Sequence, residues 1–234
     1  MTRLIIWRHG QTGWNQQNRF QGQTDVALDA VGSSQANAAA ELLAAERPTR
    51  LISSDLRRAA DTAAALAAIT DLPVHADSRL RERHYGEWEG LTRREITKQW
   101  PEQYRRWRAG ESIPECGVES PEEVAKRVGD GLLDAVDQVA EGGLVVVVSH
   151  GGAARHGIGI LMDWPAQVVR SLGPLGNCHW SELRQQPRGW ELTRHNVGLL
   201  SGAGIRSESG WAPNAKVDSD AAGTQGGAAP SEGS

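Results

Sequence analysis

The sequence predicts an α/β domain of three layers, a mostly parallel sheet with helices on both faces. Three observations point to it: short apolar runs that end in turn residues, Ala-rich or amphipathic stretches between them, and 234 residues of chain, enough for one substantial core. Leu4 to Trp7 is the first expected strand, running straight into Arg8, His9 and Gly10. Val31 to Glu46 follows as a helix of high Ala content, then Arg50 to Ser53 as a strand and Leu56 to Ile69 as a second Ala-rich helix. Pro73 to His75 is the third strand. Thr92 to Gly110, rich in Arg, Glu and Trp, reads as a helical insertion near the functional edge of the sheet and as a candidate lid. From Pro121 to Glu141, Val124, Val128, Leu132, Val136 and Val139 recur at spacings of four and three, one apolar stripe of a helix. Ser120, Pro121 and Glu123 supply its start: a hydroxyl cap, a proline at the first position and a carboxylate that reaches back to the cap. Leu144 to Ser149 is the fourth strand and runs into His150, Gly151 and Gly152.

Residues 1–200 are thus expected to form one domain. Residues 201–234, rich in Gly, Ala and Ser, hold too little apolar surface to offset the entropy of ordering and are expected to be a disordered tail. No apolar run approaches the roughly 20 residues of a membrane span or the core of a signal peptide, so a cytoplasmic location is expected. The net charge of -4 argues against nonspecific nucleic-acid binding, while a local group of arginines can still make a cationic cleft for a small anion. Cys116 and Cys178 form no CxxC pair, which argues against a disulfide framework or a structural zinc site. HExxH and EF-hand patterns are absent from the sequence, and no metal or cofactor is expected.

In parallel α/β sheets, sites gather at the carboxyl ends of the strands, which directs attention to Arg8, His9 and His150. Two histidines at two strand ends either face one another or are unrelated loop residues. Ser53 to Ala59 follows another strand, and a helix beginning near Asp55 would aim its amino end and Arg57 or Arg58 at the same edge, a combination that favours phosphate. Glu82, Glu87 and Glu89 lie near the end of the third strand, where one of them is a candidate proton donor. For Glu87 and Glu89 the simpler expectation is salt bridges to Arg81 and Arg83. Trp14, Trp88 and Trp107 are candidates for stacking on a sugar, with ordinary core packing the more economical expectation; His75, His156, His179 and His195 receive no role.

Taken together, Arg8-His9-Gly10-Gln11-Thr12 with Asn15, Ser53 to Ala59 with Thr62, Leu80-Arg81-Glu82, and Ser149-His150-Gly151-Gly152 resemble the histidine phosphatase, or phosphoglycerate mutase-like, superfamily, over roughly Arg3 to Thr193. The resemblance implies that His9 is the nucleophile, that Arg8 and Arg58 grip the phosphoryl oxygens, that His150 donates to another of them, and that Glu82 is the general acid. It further implies Asn15 as a phosphate ligand, Gly151 as a substrate-binding residue, and Gln21, Gly22 and Gln23 as a loop bordering the substrate. Arg58 is preferred to Arg57 because it directly precedes Ala59. Burial beside a phosphate dianion is expected to keep Glu82 protonated. The implied reaction is metal-independent hydrolysis of phosphomonoesters of small metabolites through a phosphohistidine.

Gln11-Thr12 is similar to the phosphatase branch rather than to the mutases, although Arg83-His84-Tyr85-Gly86 has a mutase-like look. A cofactor-dependent phosphoglycerate mutase and an inactive relative serving as a binding module are the alternatives. Gly90-Leu91-Thr92 and Gly176 to Trp180 are similar to actinobacterial glucosyl-3-phosphoglycerate phosphatases, which makes glucosyl-3-phosphoglycerate the leading substrate expectation. Cys116 to Ser120 departs from the family's pattern and is expected to border the substrate. The partners implied are a small phosphorylated metabolite and a second copy in a homodimer, with no membrane and no nucleic acid.

Overall fold

A computed structural model describes residues 1–198; the tail expected at 201–234 lies outside the described residues. A six-stranded sheet in the order β3-β2-β4-β1-β5-β6 forms the middle layer. Its strands are β1 (Arg3–Arg8), β2 (Arg50–Ser53), β3 (Val74–Ala76), β4 (Leu144–Ser149), β5 (Trp180–Gln186) and β6 (Gly189–Val197). The first four are mutually parallel, while β5 and β6 run antiparallel at the far edge. The helices are α1 (Gly13–Gln16), α2 (Ala30–Ala45), α3 (Arg57–Thr70), α4 (Arg93–Gln99), α5 (Pro101–Ala109), α6 (Pro121–Asp137), α7 (Gly151–Leu161) and α8 (Ala166–Ser171).

Alternation along the central strands divides the core. Leu4, Ile6, Val145 and Val147 face α6 and α7 on one side, and Ile5, Trp7, Val146 and Val148 face α2 and α3 on the other. Strands buried on both faces read as the continuous apolar runs seen in the sequence. A third cluster, built on Phe20, Tyr85, Trp88, Ile96, Tyr104 and Trp107, is the insertion's own core. Trp88 and Trp107 therefore pack ring against ring in that cluster, with centroids 5.8 Å apart, as core residues.

Several boundaries differ from expectation. The insertion is two helices and not one, because Pro101 has no N–H to continue α4 and Trp100 takes a non-helical conformation. α6 ends at Asp137, short of Glu141, where the chain turns through Gly142 and Gly143. β3 is an edge strand with Val74 and Ala76 exposed, and Pro73 lies just before it. Helix α3 begins at Arg57, two residues later than Asp55, and its cap comes from afar: the Arg57 N–H donates to Asp25 Oδ1 at 2.7 Å.

Two further strands and three helices, α1, α7 and α8, had no expected counterpart. β5 and β6 mix charged and apolar residues without a long apolar run, and α7 carries Gly151, Gly152, Gly157 and Gly159, an unpromising composition for a helix. Packing decides there. A Cβ on Gly157 would come within 2.5 Å of Leu132 Cδ1, so the glycine lets α7 lie close against α6. The expected start of α6 is present in full: Ser120 Oγ accepts from the Glu123 N–H at 3.2 Å, and Glu123 Oε2 accepts from the Ser120 N–H at 2.8 Å. Ser120→Ala should therefore lower folding stability by about 1 kcal/mol, a shift of roughly 2–4 °C in melting temperature, with kcat unchanged; thermal denaturation monitored by circular dichroism checks it.

Candidate active site

β1 and β4 are parallel neighbours with Arg8 opposite Ser149, so the residues that follow leave the sheet at the same edge. His9 and His150 accordingly face each other, both buried, with ring centroids 5.1 Å apart. His9 Nδ1 lies 2.7 Å from the Gly10 carbonyl oxygen, which can only accept; Nδ1 therefore carries the proton and Nε2 keeps its lone pair. His150 Nε2 meets Ser54 Oγ at 2.8 Å. Its Nδ1 is buried and has no protein partner. If the Ser54 hydroxyl donates to Nε2, Nδ1–H is left as a donor aimed at whatever the site holds.

Burial first, and then Arg58 and Arg8, push the His9 imidazole well below its ordinary pKa. The same order of causes, burial, Arg58, His9 and Arg8, does so for His150. Both rings are neutral across the physiological range.

Arg8 and Arg58 are buried beside them. Arg8 Nη1 donates to the Leu175 carbonyl at 2.7 Å, and Arg58 donates to the carbonyls of Gly22 and Thr24 at 2.7 and 2.9 Å. Arg57 points outward and pairs with Asp61, so the sequence's preference for Arg58 agrees with the geometry. Asn15 Oδ1 accepts from the Thr12 N–H and from Asn177 Nδ2 at 2.9 and 3.1 Å, which leaves its buried Nδ2 as a donor without a protein partner.

Glu82 is buried at the amino end of α7. Its Oε1 accepts from the N–H groups of Arg83 and Ala153 at 2.8 Å each, and Oε2 accepts from Gly152 N–H at 2.9 Å. A Cβ on Gly152 would stand 2.6 Å from Oε1, so only glycine lets the carboxylate reach the helix end. Three donors occupy three of the four lone pairs of the carboxylate, and one on Oε2 remains open.

The remaining expected residues divide. Arg8, Gln21, Glu82 and Gly151 line one small cavity together with Tyr85 and Phe20. Gly22 and Gln23 instead brace the site. The Gly22 carbonyl holds Arg58, and Gln23 Nε2 donates to the Glu82 carbonyl at 3.2 Å. Gln23 and Thr24 also line an open groove of about 1070 Å³, whose lining includes Gly117, Val118 and Glu119 of the Cys116 to Ser120 segment.

The expected salt bridges of Glu87 and Glu89 to Arg81 and Arg83 are not formed. Arg81 pairs with Asp55 at 2.6 Å, and Arg83 Nε donates to the Glu119 carbonyl. Glu89 instead ties up the loop: it accepts from the N–H groups of Gln23, Thr24 and Tyr85 at 3.0 Å each, from Thr24 Oγ1 at 2.6 Å, and stands 2.7 Å from His84 Nδ1. Gly22 adopts φ +54° directly against the Glu89 carboxylate, a place where a Cβ would collide. Ser54, Thr62 and Asn177 are supporting residues to which the sequence reading attached no role, and Glu89 supports the site otherwise than as the proton donor or salt-bridge partner expected of it. Thr62 lay inside a quoted motif, and it accepts from the Gly10 N–H at 3.1 Å while donating to the Arg58 carbonyl.

Among the described residues, no group of three or more His, Cys, Asp or Glu is arranged to hold a metal ion, and no helix is long and apolar enough to cross a membrane.

Comparison with known proteins places this geometry in company. The histidine phosphatase superfamily (branch 1) matches residues 4–198. The glucosyl-3-phosphoglycerate phosphatase of Mycobacterium tuberculosis (strain ATCC 25618 / H37Rv) is 40% identical over 188 residues, covering 77% of this chain and 84% of that protein. A metal-independent phosphoserine phosphatase of Arabidopsis thaliana is 40% identical over 162 residues, 66% of each chain. The solved structure of mycobacterial glucosyl-3-phosphoglycerate phosphatase with inorganic phosphate superimposes with a TM-score of 0.76 at 38% identity, over 84% of this chain and 97% of that one.

Two predictions follow from the site's electrostatics and from its bracing. His9, His150 and His156 are all pushed below their ordinary values by burial, His156 to about 3. On unfolding each regains the ordinary histidine value, so below it the unfolded chain binds more protons and stability falls as pH falls. Once the unfolded histidines are fully protonated the slope approaches three protons, about 4 kcal/mol per pH unit; urea denaturation at pH 7, 6 and 5 measures it, and a flat profile contradicts it. Glu89→Gln should cost about 1–3 kcal/mol of stability and lower kcat/KM by loosening the carbonyls that hold Arg58. Arg57→Ala, measured alongside, should change neither.

Proposed function

The chain belongs to the histidine phosphatase superfamily and is a phosphoric monoester hydrolase, and from that premise we propose that His9 carries the phosphoryl group and that glucosyl-3-phosphoglycerate is its leading substrate. The observation that carries the catalytic reading is the pair of neutral imidazoles 5.1 Å apart beside two buried guanidinium groups, with the lone pair of His9 Nε2 left open. A neutral imidazole attacks phosphorus without first losing a proton, and the covalent intermediate divides one hard displacement into two easier ones.

In the first step His9 Nε2 bonds to phosphorus as the ester oxygen departs. Arg8, Arg58, Asn15 Nδ2 and His150 Nδ1–H meet the non-bridging oxygens, where negative charge is spread during transfer. Fixed cations of this kind neutralise the phosphoryl group, which supports metal-independent turnover. Glu82 delivers a proton from Oε2 to the leaving alkoxide, then takes one from the water that attacks the phosphohistidine, so the second step returns both residues to their starting states. Gly151, against the Arg8 guanidinium, lies within the same phosphate-binding group.

The substrate assignment is supported by relatives at 40% identity that bear the name glucosyl-3-phosphoglycerate phosphatase. Cytoplasmic residence belongs to the same proposal and is supported by two buried free thiols, Cys116 and Cys178.

Acid-labile label from a ³²P-phosphomonoester should appear on the parent protein and vanish in His9→Ala; equal labelling of both sinks the nucleophile assignment. Glu82→Gln should slow glucosyl-3-phosphoglycerate by about 10²–10⁴-fold in kcat, yet affect p-nitrophenyl phosphate far less because its leaving group needs no proton. Activity should be measured across glucosyl-3-phosphoglycerate, phosphoserine and 3-phosphoglycerate with 2,3-bisphosphoglycerate. Free phosphate from the first is expected, and rapid formation of 2-phosphoglycerate with little phosphate would make the protein a mutase.

A further inference from the structure

A second cavity, of about 240 Å³, lies between the insertion and the helices that flank the sheet, lined among others by Arg83, Trp107, Arg155, His156, Trp164 and Arg170. Apart from the Arg83 backbone N–H, which donates to Glu82, none of these residues has a part in the chemistry described above. Trp107 comes from α5, Arg155 and His156 from α7, and Arg170 from α8; the carboxylate on the lining is the exposed Glu122.

The arginines here are unlike those of the catalytic edge. Arg83 is buried, its Nε goes to a backbone carbonyl, and its Nη2 is closed off from solvent with no hydrogen-bond partner. Arg155 Nη1 is likewise closed off and unpartnered. Among the described residues no carboxylate lies within ion-pair distance of either side chain. Glu119 is committed to Arg127 at 2.6 Å, and Glu82 is held by backbone N–H groups. Burial lowers both guanidinium groups from their ordinary value, and Arg155 adds to the effect on Arg83 by like-charge repulsion. His156 adds no charge, since burial and then Arg155 and Arg83 push it down to about 3. Arg83, buried, and Arg155, half-buried, lack an ion-pair partner, and an anion supplied from outside would neutralise both.

The geometry points to this cavity as a binding site, separate from the catalytic one, for a small organic anion: a carboxylate or phosphate head on the Arg83 and Arg155 guanidinium groups, with a ring or apolar body toward Trp164 and Val169. Guanidinium groups present paired N–H donors that match either head. The buried Trp107 Nε1, also without a partner, adds a third donor. Gly159 and Val169, which lie against each other, add apolar lining. Such an occupant would bridge the insertion to α7, and α7 carries the Gly152 and Ala153 N–H groups that hold Glu82.

The test uses the full chain with its catalytic centre saturated by vanadate and benzene-1,2-dicarboxylate as the probe, followed by isothermal titration calorimetry. One molecule per chain is expected to bind, more tightly than sulfate, which has a head and no body. Arg155→Met and Arg83→Met should each weaken that binding by about 10–100-fold, the worth of a charged hydrogen bond. Turnover of p-nitrophenyl phosphate should remain near the parent level in Arg155→Met. Without the probe, Arg155→Met should melt at or above the parent temperature, because an uncompensated charge has been removed. Undiminished binding in Arg155→Met, a marked drop in that variant's melting temperature, or no binding of either anion would each overturn the assignment.

Discussion

A guanidinium group buried at the carboxyl edge of the sheet loses its hydration and has to recover it from oxygen atoms of the chain, and Arg8 at the end of β1 and Arg58 in the first turn of α3 both do so. Leu175, Gly22 and Thr24 supply backbone carbonyls to them. The positive field that results, added to burial, keeps His9 and His150 neutral. From this follow the free lone pair on His9 and the cationic setting in which a phosphoryl group can be held.

Carbonyls hold a guanidinium only if the loop that presents them is itself held. Glu89 does this from the rear, accepting from three N–H groups and a hydroxyl, while Asp25 of the same loop caps α3, the helix that carries Arg58. The loop and the helix thus fix each other. On the opposite side, Asn177 links Asn15 to the His9 carbonyl, and Thr62 links Gly10 to the first turn of α3. These contacts are hydrogen bonds between residues distant in the chain, and small displacements of any one would move a reacting atom, the kind of misplacement to which transfer chemistry is sensitive.

Glu82 shows how one position meets two demands. Three backbone donors orient the carboxylate at the amino end of α7, and the lone pair left on Oε2 is where a proton can be carried. The same helix continues to Arg155 and the second cavity, so two of the donors that hold the Glu82 carboxylate and some of the residues that line the second cavity share one rigid element.

By itself the sequence determined the sheet's buried strands, the helices with strong propensity or a complete capping box, and the residues that gather at the catalytic edge. Apolar runs, Ala-rich stretches and Ser120 with Glu123 act within a few residues of themselves, and such local physics is readable in one dimension. His9, Arg58, Glu82 and His150 were legible because each follows directly from a motif and the strand ends bring them to one edge. Only tertiary structure decided the rest. Glycine-rich α7 and the mixed strands β5 and β6 exist because neighbours pack against them, against their own weak propensity. Glu89 bonds the loop rather than an arginine because the fold brings four donors of the 23–24 loop and Tyr85 to its carboxylate, a competition between partners that spacing along the chain does not encode.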